Sequence, residues 1–443
     1  MEQDKRYKVS VVTAVYNVEA YLVEMIESVI AQTIGFENIQ LILVDDGSTD
    51  RSGEICDRYA SQHPDNIIVV HKENGGVSSA RNAGLEYVGS KYVNFTDADD
   101  MLEENALLMM YDYLRENEGQ IDLCAIQFRF FGDKSGEHPL NHRLESGSRI
   151  IDLQKEYDCV QLSVSGVLVK KECFVDRRFE EGLAYAADAR LVVDILSDRM
   201  RYGIVDGASY LHRKRETEDS EIDSGWYNRD FYIPCAEKFI LYSLTNAQGR
   251  KGSLPRFVQY TCMYDLQWRL FRKPLVNVGV LALEEEKKYK ELLLQAIQYI
   301  DDKIIVEQKC ISEECKLAIL LLKGNDKAFI YHANDVEIRI RDILSIRLGA
   351  YWTVLEFIDI SPQKITVEGF AEIAEDFKEA EIVFVVKKGA CTLAEYPAEG
   401  FDRPEKNTYM LDEIITRGRG FRCSVERGGV PRDAELQICL RFD

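Results

Sequence analysis

The sequence predicts an α/β fold with a mainly parallel sheet in its first half, then a small helical domain and a terminal β-sandwich-like domain. Three patterns predict this order. Short apolar runs alternate with amphipathic segments from the start, helical spacing dominates from about Trp226 to Lys323, and apolar and polar residues alternate from about Phe329. A chain of 443 residues, 46% hydrophobic, is long enough for two or three domains. The predicted domains are 1–225, 226–328 and 329–443.

The first domain is predicted from four apolar strands and the helices that separate them. Strands that are apolar on both faces and joined by helices are typical of a parallel sheet covered on both sides. Ligands bind at the carboxyl ends of such strands, and here a polar cluster follows each one. The predicted strands are Val9–Val15, Gln40–Val44, Ile67–His71 and Tyr92–Phe95, and the predicted helices are Glu19–Gln32, Ser52–Ser61 and Ser78–Val88.

The other two domains are predicted from residue spacing. Apolar residues between Tyr289 and Ile300 recur on one helix face. Apolar and polar residues alternate in Lys364–Gly369, Glu381–Lys387 and Leu436–Phe442, with turn-forming residues between these runs. Several short strands of this kind predict a β-sandwich-like domain. Two roles stay open for it, carbohydrate binding and contact between the subunits of an oligomer.

The charge of the chain excludes some partners. With 76 acidic and 55 basic residues, the formal net charge is -21, which disfavours nucleic-acid binding and means that an anionic ligand needs a local cation or arginine. No apolar stretch reaches the roughly 20 residues needed to cross a bilayer, and the charged start is unlike a secretory signal, so we expect a cytoplasmic protein. Peripheral attachment at the inner face of the cell membrane stays open, because Lys287, Lys288 and Lys290 form either a basic patch or an ordinary ion-paired helix face.

Three aspartates follow the fourth predicted strand almost directly: Asp97, Asp99 and Asp100. Carboxylates this close repel one another, so a hard divalent cation with oxygen ligands is a natural partner. Such a cation would bridge a diphosphate and neutralise charge on a leaving group. The alternative is an acidic cap for the helix predicted near Glu103, because aspartate is common at helix N-termini. The cluster alone does not decide between the two.

Four segments together resemble the GT-A glycosyltransferases of family 2 in order and spacing. They are Val9–Asn17 (VSVVTAVYN), Leu43–Asp50 (LVDDGSTD), Asn74–Gly84 (NGGVSSARNAG) and Phe95–Asp100 (FTDADD). The resemblance covers roughly the first half of the chain. It implies a GT-A nucleotide-sugar-binding domain that transfers a sugar from a nucleotide-sugar donor to a hydroxyl, with Mn²⁺ or Mg²⁺ as cofactor.

The resemblance implies roles for four donor-side residues. Tyr16 would lie beside the base, and Asp46 would accept a hydrogen bond from a uracil ring nitrogen, which suits a UDP-sugar. Arg81 would face the base or the diphosphate, and Asp97 would bind the ribose. Without the resemblance, Asp46 belongs to a turn before the helix at Ser52, and Arg81 is a solvated helix charge.

The resemblance also implies a metal site. Asp99, the last acid of the D-x-D unit, would coordinate the cation, with Asp100 supporting it or capping a helix. His212 would be the third metal ligand, as a histidine is in some relatives, although most lone histidines are not ligands. The basic run Arg213–Arg215 would contact phosphates as a loop closes over the donor, or it is a solvated face.

An inverting transfer needs a carboxylate that takes the proton from the acceptor hydroxyl. The family places it in a Glu-Asp pair that opens a helix. In the matching segment, Phe179–Leu196, Asp188 is at the base position and Ala187 replaces the expected glutamate, which bears on acceptor recognition and even on activity. The alternative for Asp188 is an early-turn helix acid favoured by the helix dipole.

The sequence therefore predicts an inverting, metal-dependent glycosyltransferase of the hexosyltransferase type. Its donor would be a UDP-sugar, and its acceptor a saccharide, a cell-surface polymer or a lipid-linked glycan. A non-catalytic protein that binds nucleotide-sugar or glycan is the alternative, because of Ala187. A nucleotidyltransferase is disfavoured, since no glycine loop rich in lysine and arginine lies near the N-terminus.

Overall fold

The computed structural model describes residues 7–214, 225–271, 279–332, 335–347, 353–431 and 433–441. Ten of the described strands form one sheet in the first part of the chain, with helices between them. The strands are β1 (Val9–Val15), β2 (Ile39–Asp45), β3 (Ile67–His71), β4 (Tyr92–Phe95), β5 (Met101–Leu102), β6 (Leu123–Gly132), β7 (Gly136–Glu137), β8 (Arg149–Asp152), β9 (Val167–Lys170) and β10 (Arg201–Lys214). The helices are α1 (Leu22–Ile30), α2 (Ser52–Gln62), α3 (Val77–Leu85), α4 (Ala106–Glu116) and α5 (Ala187–Arg199).

The strand order of this sheet is β3, β2, β1, β4, β9, β6, β10, β5, with β7 paired to β6 and β8 to β10. The first four strands are parallel to one another, as the sequence predicts. The next strand, β9, is antiparallel to both β4 and β6, while β10 runs parallel to β6. The sheet is therefore mainly parallel in its first half and mixed in its second.

Burial explains why these segments form the sheet and its cover. All seven residues of β2 are buried, as expected of a strand covered on both faces. In α1 the buried residues are Leu22, Met25, Ile26 and Val29, which have the spacing of one helix face. The helix begins later than predicted because a turn precedes it, in which the carbonyl of Val18 accepts the amide of Leu22.

Gly84 lets α3 lie directly against β1 and β2. A Cβ at this position would be 2.5 Å from Cγ1 of Val12 and 3.2 Å from Cγ2 of Val44. The first distance is shorter than carbon atoms tolerate, so only glycine permits this approach. Because Arg81 is on the same helix, the depth of α3 against the sheet determines where the Arg81 side chain begins.

Helices occupy much of the described chain between 225 and 322, as their spacing predicts. The buried face of the helix Leu283–Gln298, with Tyr289, Leu293, Ala296 and Ile297, matches the predicted periodicity. A π-helical segment, Ala236–Leu241, joins the helices Ile233–Cys235 and Tyr242–Lys251. The helices are α6 (Ile233–Cys235), α7 (Tyr242–Lys251), α8 (Arg256–Leu270), α9 (Leu283–Gln298), α10 (Asp302–Val306) and α11 (Glu313–Leu322).

The last part of the chain is antiparallel β structure. The strands are β11 (Ala328–His332), β12 (Asp335–Ile340), β13 (Leu344–Arg347), β14 (Thr353–Ile360), β15 (Lys364–Ala374), β16 (Glu381–Lys388), β17 (Cys391–Pro397), β18 (Glu399–Asp402), β19 (Thr408–Met410), β20 (Glu413–Glu426) and β21 (Glu435–Arg441). Within the described ranges they form sheets β11-β12-β13, β14-β15-β20-β18 with β19 on β20, and β17-β16-β21. The second and third sheets share a core that includes Val367, Phe384 and Phe421, so this region is β-sandwich-like, as predicted. Phe442, at the end of the last predicted strand, lies outside the described residues.

The chain divides into two compact units. The first is Met1–Cys262 with Gly279–Tyr299, and the second is Met263–Val278 with Ile300–Asp443, each counted over its described residues. This division separates parts of the predicted helical domain, and the boundaries at 225/226 and 328/329 stay predictions.

The lysines considered for membrane attachment lie on α9. Lys288 pairs with Glu237 at 2.7 Å and Lys290 with Glu286 at 3.4 Å, as on an ordinary ion-paired helix face. In the part of the chain that the structure describes, no helix combines the length and apolar character needed to cross a bilayer. Peripheral attachment stays a prediction.

Candidate active site

Polar side chains gather at the carboxyl ends of β1, β2 and β4, together with residues from the start of α5 and the end of β10. All seven predicted site residues lie in the described part of the chain. Three of them, Arg81, Asp97 and Asp188, are in direct contact. Asp99 precedes Asp100 in the chain, and His212 is hydrogen-bonded to Asp100. The remaining two predicted residues, Tyr16 and Asp46, directly follow β1 and β2.

Arg81 joins the two halves of the site. Its side chain is only 7% exposed, and Nη1 donates to Oδ1 of Asp188 at 2.6 Å while Nη2 donates to Oδ1 of Asp97 at 2.7 Å. The guanidinium also lies over the ring of Phe179, 5.3 Å from its centroid. The solvated-helix alternative for Arg81 is therefore wrong, because this arginine is buried between two carboxylates.

Asp97 is held by several donors in addition to Arg81. The hydroxyl of Ser165 donates to Oδ2 at 2.9 Å, and the hydroxyl of Tyr210 lies 3.4 Å from the same oxygen. Burial acts to raise the pKa of Asp97, but the positive charge of Arg81 and the hydrogen bond from Ser165 outweigh it, so the pKa is lowered. Asp97 therefore keeps its negative charge.

The pKa of Asp188 is shifted in the opposite direction to that of Asp97. It is in the first turn of α5, directly after Ala186 and Ala187, and Ala186 has the positive φ of 64° that turns the chain into the helix. Burial raises the pKa of Asp188, and the charge of Asp97 adds to this effect while Arg81 opposes it. A carboxylate with a raised pKa accepts a proton more readily at neutral pH, as a general base must.

Asp100 makes three contacts with residues at the end of β10. It is 1% exposed, and Oδ2 accepts the hydroxyl of Tyr210 at 2.8 Å and lies 3.0 Å from Nδ1 of His212. Oδ1 accepts the backbone amide of Arg213 at 2.8 Å. Burial acts to lower the pKa of His212, but the carboxylate of Asp100 outweighs it and the pKa is raised. The helix-cap alternative for Asp100 is wrong, because its bonds go to the end of β10 and the next helix begins after Asn105. Its role in supporting a metal stays a prediction.

Asp99 and His212 are the two predicted metal ligands. The carbonyl of Asp99 accepts Nε of Arg213 at 2.8 Å, which fixes the backbone that carries the Asp99 carboxylate. Nε2 of His212 makes no hydrogen bond to a described residue. The described residues contain no group of three or more His, Cys, Asp or Glu side chains arranged for a metal. The metal role of Asp99 and His212 therefore stays a prediction, in which the cation would take its other ligands from water and diphosphate oxygens.

On the donor side, Asp46 holds a glycine loop. The side chain is nearly all buried, and its oxygens accept the amides of Gly75 at 3.0 Å and Gly76 at 2.7 Å and the Nζ of Lys72 at 2.5 Å. Gly76 has φ 84°, so the loop needs glycine at this position. The predicted contact of Asp46 with uracil stays a prediction. Tyr16 follows β1 and is 49% exposed, so its ring is accessible to a base.

The turn alternative applies to two other acids of the same segment. Oδ1 of Asp45 accepts the amide of Ser48 at 2.9 Å, and Oδ1 of Asp50 accepts the amide of Ser52 at 2.9 Å. Both contacts shape the turn that leads into α2. Asp45 also reaches the end of β3, since its Oδ2 lies 2.8 Å from Nδ1 of His71, whereas the bonds of Asp46 hold the glycine loop rather than the turn.

Comparisons with known proteins identify the family. The family model described as glycosyl transferase family 2 matches residues 10–177. The minor teichoic acid biosynthesis protein GgaA of Bacillus subtilis (strain 168) is 32% identical over 326 residues, which cover 72% of this chain and 72% of GgaA. The chain belongs to glycosyl transferase family 2. The predicted family and enzyme class, a family 2 glycosyltransferase, are confirmed.

Other similarities extend over nearly the whole of this family 2 chain. The minor teichoic acid biosynthesis protein GgaB of the same organism is 33% identical over 447 residues, 99% of this chain and 49% of GgaB. The chain thus spans about half the length of that relative. The crystal structure of S. aureus TarS matches with a TM-score of 0.57 at 15% identity, over 98% of this chain and 76% of TarS. This match confirms the predicted fold class.

Two residues of the family 2 site were missed by sequence reasoning. Lys72 directly follows β3, so it lies at the same sheet edge as the predicted clusters, which was the available signal. Tyr210 lies two residues before His212 on β10, and alternation along a strand places both side chains on one face. Arg215 lies outside the described residues.

Proposed function

We propose that this family 2 glycosyltransferase moves a sugar from a UDP-sugar to a hydroxyl of a cell-surface polymer, with inversion and with the help of a divalent cation. The observation that carries the proposal is the pair of contacts made by Arg81. It joins Asp97, the first acid of the D-x-D unit, to Asp188, the candidate base. Donor-side and acceptor-side carboxylates therefore meet at one buried guanidinium.

The relatives support the donor and the acceptor class. A fragment of S. aureus TarS, residues 1–349, has been crystallised in complex with UDP-GlcNAc, and it has a TM-score of 0.57 to this chain at 18% identity, over 76% of this chain. GgaA and GgaB are named for teichoic acid biosynthesis. A further relative, of Bacillus spizizenii (strain ATCC 23059 / NRRL B-14472 / W23), is named poly(ribitol-phosphate) beta-glucosyltransferase and is 35% identical over 122 residues, 27% of this chain and 19% of that protein. A phosphate-linked cell-surface polymer is therefore the acceptor that we propose.

The chain's own residues would perform a single displacement. The acceptor oxygen forms a bond to the anomeric carbon while the bond from that carbon to the UDP oxygen breaks, and the hydroxyl proton goes to Asp188. Arg81 occupies Oδ1 of Asp188. Among the described residues, Oδ2 accepts one bond, from the amide of Val164 at 3.4 Å, and we assign the proton to this oxygen. Asp97 is held by Arg81 and Ser165 as a fixed acceptor for ribose hydroxyls. A cation at Asp99 and His212 would neutralise charge on the diphosphate.

Metal dependence tests the proposal directly. UDP release should be measured for a panel of UDP-sugars with Mn²⁺, with Mg²⁺ and after chelation by EDTA. We expect turnover with one donor, loss of it on chelation, and a fall of roughly a hundredfold or more in Asp99→Ala, because a metal supplies several kcal/mol of charge stabilisation. Glu104→Ala removes a nearby exposed acid and should leave turnover unchanged. Binding of UDP without release from any donor would favour the non-catalytic binder instead.

The raised pKa of Asp188 predicts the acid limb of the pH profile. A base must be unprotonated, so kcat should fall as pH falls through the pKa of Asp188, at a higher pH than about 3.9, the value of an ordinary aspartate. Asp97→Asn removes the negative charge that contributes to this rise, so the limb should move to lower pH in that variant. The measurement is kcat against pH at saturating donor and acceptor. An acid limb at the same pH in both proteins would contradict this assignment.

A further inference from the structure

Tyr210 is a buried tyrosine whose hydroxyl lies among the acids at the D-x-D unit. The residue is 0% exposed. Its hydroxyl donates to Oδ2 of Asp100 at 2.8 Å and accepts the backbone amide of Asp97 at 3.2 Å. The amide of Asp100 in turn donates to the carbonyl of Asp97 at 3.2 Å, which closes a turn over residues 97–100. One hydroxyl of β10 therefore binds both ends of this turn.

Strand pairing fixes the chain after this turn but not at its start. β5 begins directly after Asp100 and pairs with β10 in antiparallel register. Asp97 lies between β4 and β5, outside both strands, and its backbone amide bonds to a side chain, that of Tyr210. The hydroxyl of Tyr210 thus connects the backbone of Asp97 to β10.

The ring of Tyr210 is held independently of its hydroxyl. It pairs across the sheet with Phe128 of β6, and the centroids of the two rings are 4.8 Å apart. Gly166 leaves room for both rings, because a Cβ there would be 2.9 Å from Cβ of Tyr210 and 3.1 Å from Cε2 of Phe128. A phenylalanine at position 210 keeps this packing, so Tyr210→Phe removes the hydroxyl alone.

Asp97 is accessible to a ligand, whereas Tyr210 is not. The side chain of Asp97 is 36% exposed. An ionised carboxylate has about four acceptor sites, and Arg81 and Ser165 occupy part of this capacity. With its backbone held by Tyr210 and its carboxylate held by these two donors, Asp97 presents its remaining acceptor sites in a fixed orientation. Such preorganisation favours a ligand with two neighbouring hydroxyl donors.

We propose that Tyr210 is a positioning residue for the donor, which fixes Asp97 so that its carboxylate meets the ribose hydroxyls of the UDP-sugar. The inference rests on the proposed function, because the ribose contact of Asp97 belongs to that proposal. Tyr210 has no exposed surface, so it acts on the ligand through Asp97.

The test is binding of UDP and of 2′,3′-dideoxy-UDP to the full chain in EDTA, measured by calorimetry. Chelation makes the measurement independent of any cation. We expect the Kd for UDP to rise about tenfold in Tyr210→Phe, because hydrogen bonds to a charged group are strong and depend on its orientation. The Kd for the dideoxy nucleotide should be the same in both proteins, since this nucleotide lacks the hydroxyls that Asp97 accepts.

Tyr202→Phe is the matched control. Tyr202 lies on the same strand, is equally buried, and donates its hydroxyl to the carbonyl of Cys159 at 2.8 Å, away from the D-x-D unit. Both variants lose a buried hydrogen bond, so we expect the melting temperature to fall in both, while the Kd for UDP stays within about twofold in Tyr202→Phe. An equal rise of the Kd for UDP in both variants would show a general loss of stability and overturn the inference.

Other outcomes decide the inference in the same way. UDP affinity in Tyr210→Phe equal to that of the unaltered chain overturns it. Equal losses of UDP and dideoxy-UDP affinity also overturn it, because the ribose hydroxyls then play no part. If Tyr210→Phe does not fold, the comparison passes to Gly166→Ala, whose added Cβ displaces the ring of Tyr210 and must weaken UDP binding more than dideoxy-UDP binding.

The outcomes also separate this inference from the proposed function. A loss of UDP affinity in Tyr210→Phe that depends on the ribose hydroxyls, without UDP release from any donor, overturns the transferase and leaves the positioning role standing. UDP release by the unaltered chain, with equal UDP affinity in Tyr210→Phe, overturns the positioning role alone. An unaltered chain that binds no UDP overturns both the proposed donor and this inference.

Discussion

Asp188→Asn should lower kcat by roughly a hundredfold to ten-thousandfold, the usual contribution of a general base, while UDP binding and the melting temperature stay close to those of the unaltered chain. Asparagine has nearly the same shape as aspartate, and its side-chain oxygen still accepts Nη1 of Arg81, so the buried contact persists. What disappears is the ability to take a proton. The measurement is UDP release and product formation at saturating donor and acceptor, together with UDP affinity by calorimetry.

Asp194→Asn is the matched control for this variant. Asp194 lies on the same helix, and burial raises its pKa too, but it accepts bonds from Tyr242 at 3.2 Å and Asn246 at 3.0 Å rather than from the site. We expect kcat within about twofold of the unaltered chain, since no reacting group touches it. Equal losses in both variants would show that Asp188 acts through helix stability, and the base assignment would be wrong.

Arg81→Met should have the largest combined effect, on stability as well as on transfer. Removing one partner of a buried ion pair costs about 3–5 kcal/mol, and partial exposure of Asp97 and Asp188 places the expected loss here at the lower end, roughly 2–4 kcal/mol. The two carboxylates would then face each other without the cation that separates them. Transfer should fall because Asp97 and Asp188 lose their fixed positions.

The pH dependence of unfolding distinguishes this explanation from simple loss of packing. If the lost stability comes from uncompensated carboxylates, their protonation relieves it, so the difference between Arg81→Met and the unaltered chain should shrink from pH 7.5 to pH 5. Urea unfolding at both pH values measures this. Arg178→Met, with its exposed pair to Glu86, should change stability by no more than about 0.5 kcal/mol at either pH. A difference that is the same at both pH values would contradict the electrostatic account.

The first half of the sheet was predictable because its strands are locally encoded. Continuous apolar runs separated by amphipathic segments fix β1 to β4 as parallel strands, and the predicted bounds of β3 and β4 agree with the structure. The second half was not predictable in the same way. That β9 lies antiparallel between β4 and β6 depends on pairings between segments far apart in the chain, which no local pattern specifies.

The contacts within the candidate site were also not predictable from local sequence patterns. Motif order and the family resemblance gave Arg81, Asp97 and Asp188 as site residues, but not that one guanidinium binds both carboxylates. The contact between Arg81 and Asp188 joins residues 107 positions apart, so it follows only from the folded sheet.

The close approach of α3 to the sheet at Gly84 helps to set the position of the Arg81 guanidinium. Arg81 is one turn before Gly84 on α3, and the missing Cβ allows the helix axis to lie nearer to Val12 than any other residue would permit. Gly84→Ala would lift this turn away from the sheet and displace the guanidinium relative to Asp97 and Asp188, without altering a charge or touching a ligand. The position of the guanidinium between Asp97 and Asp188 thus depends on a van der Waals contact between α3 and the sheet in which neither carboxylate takes part.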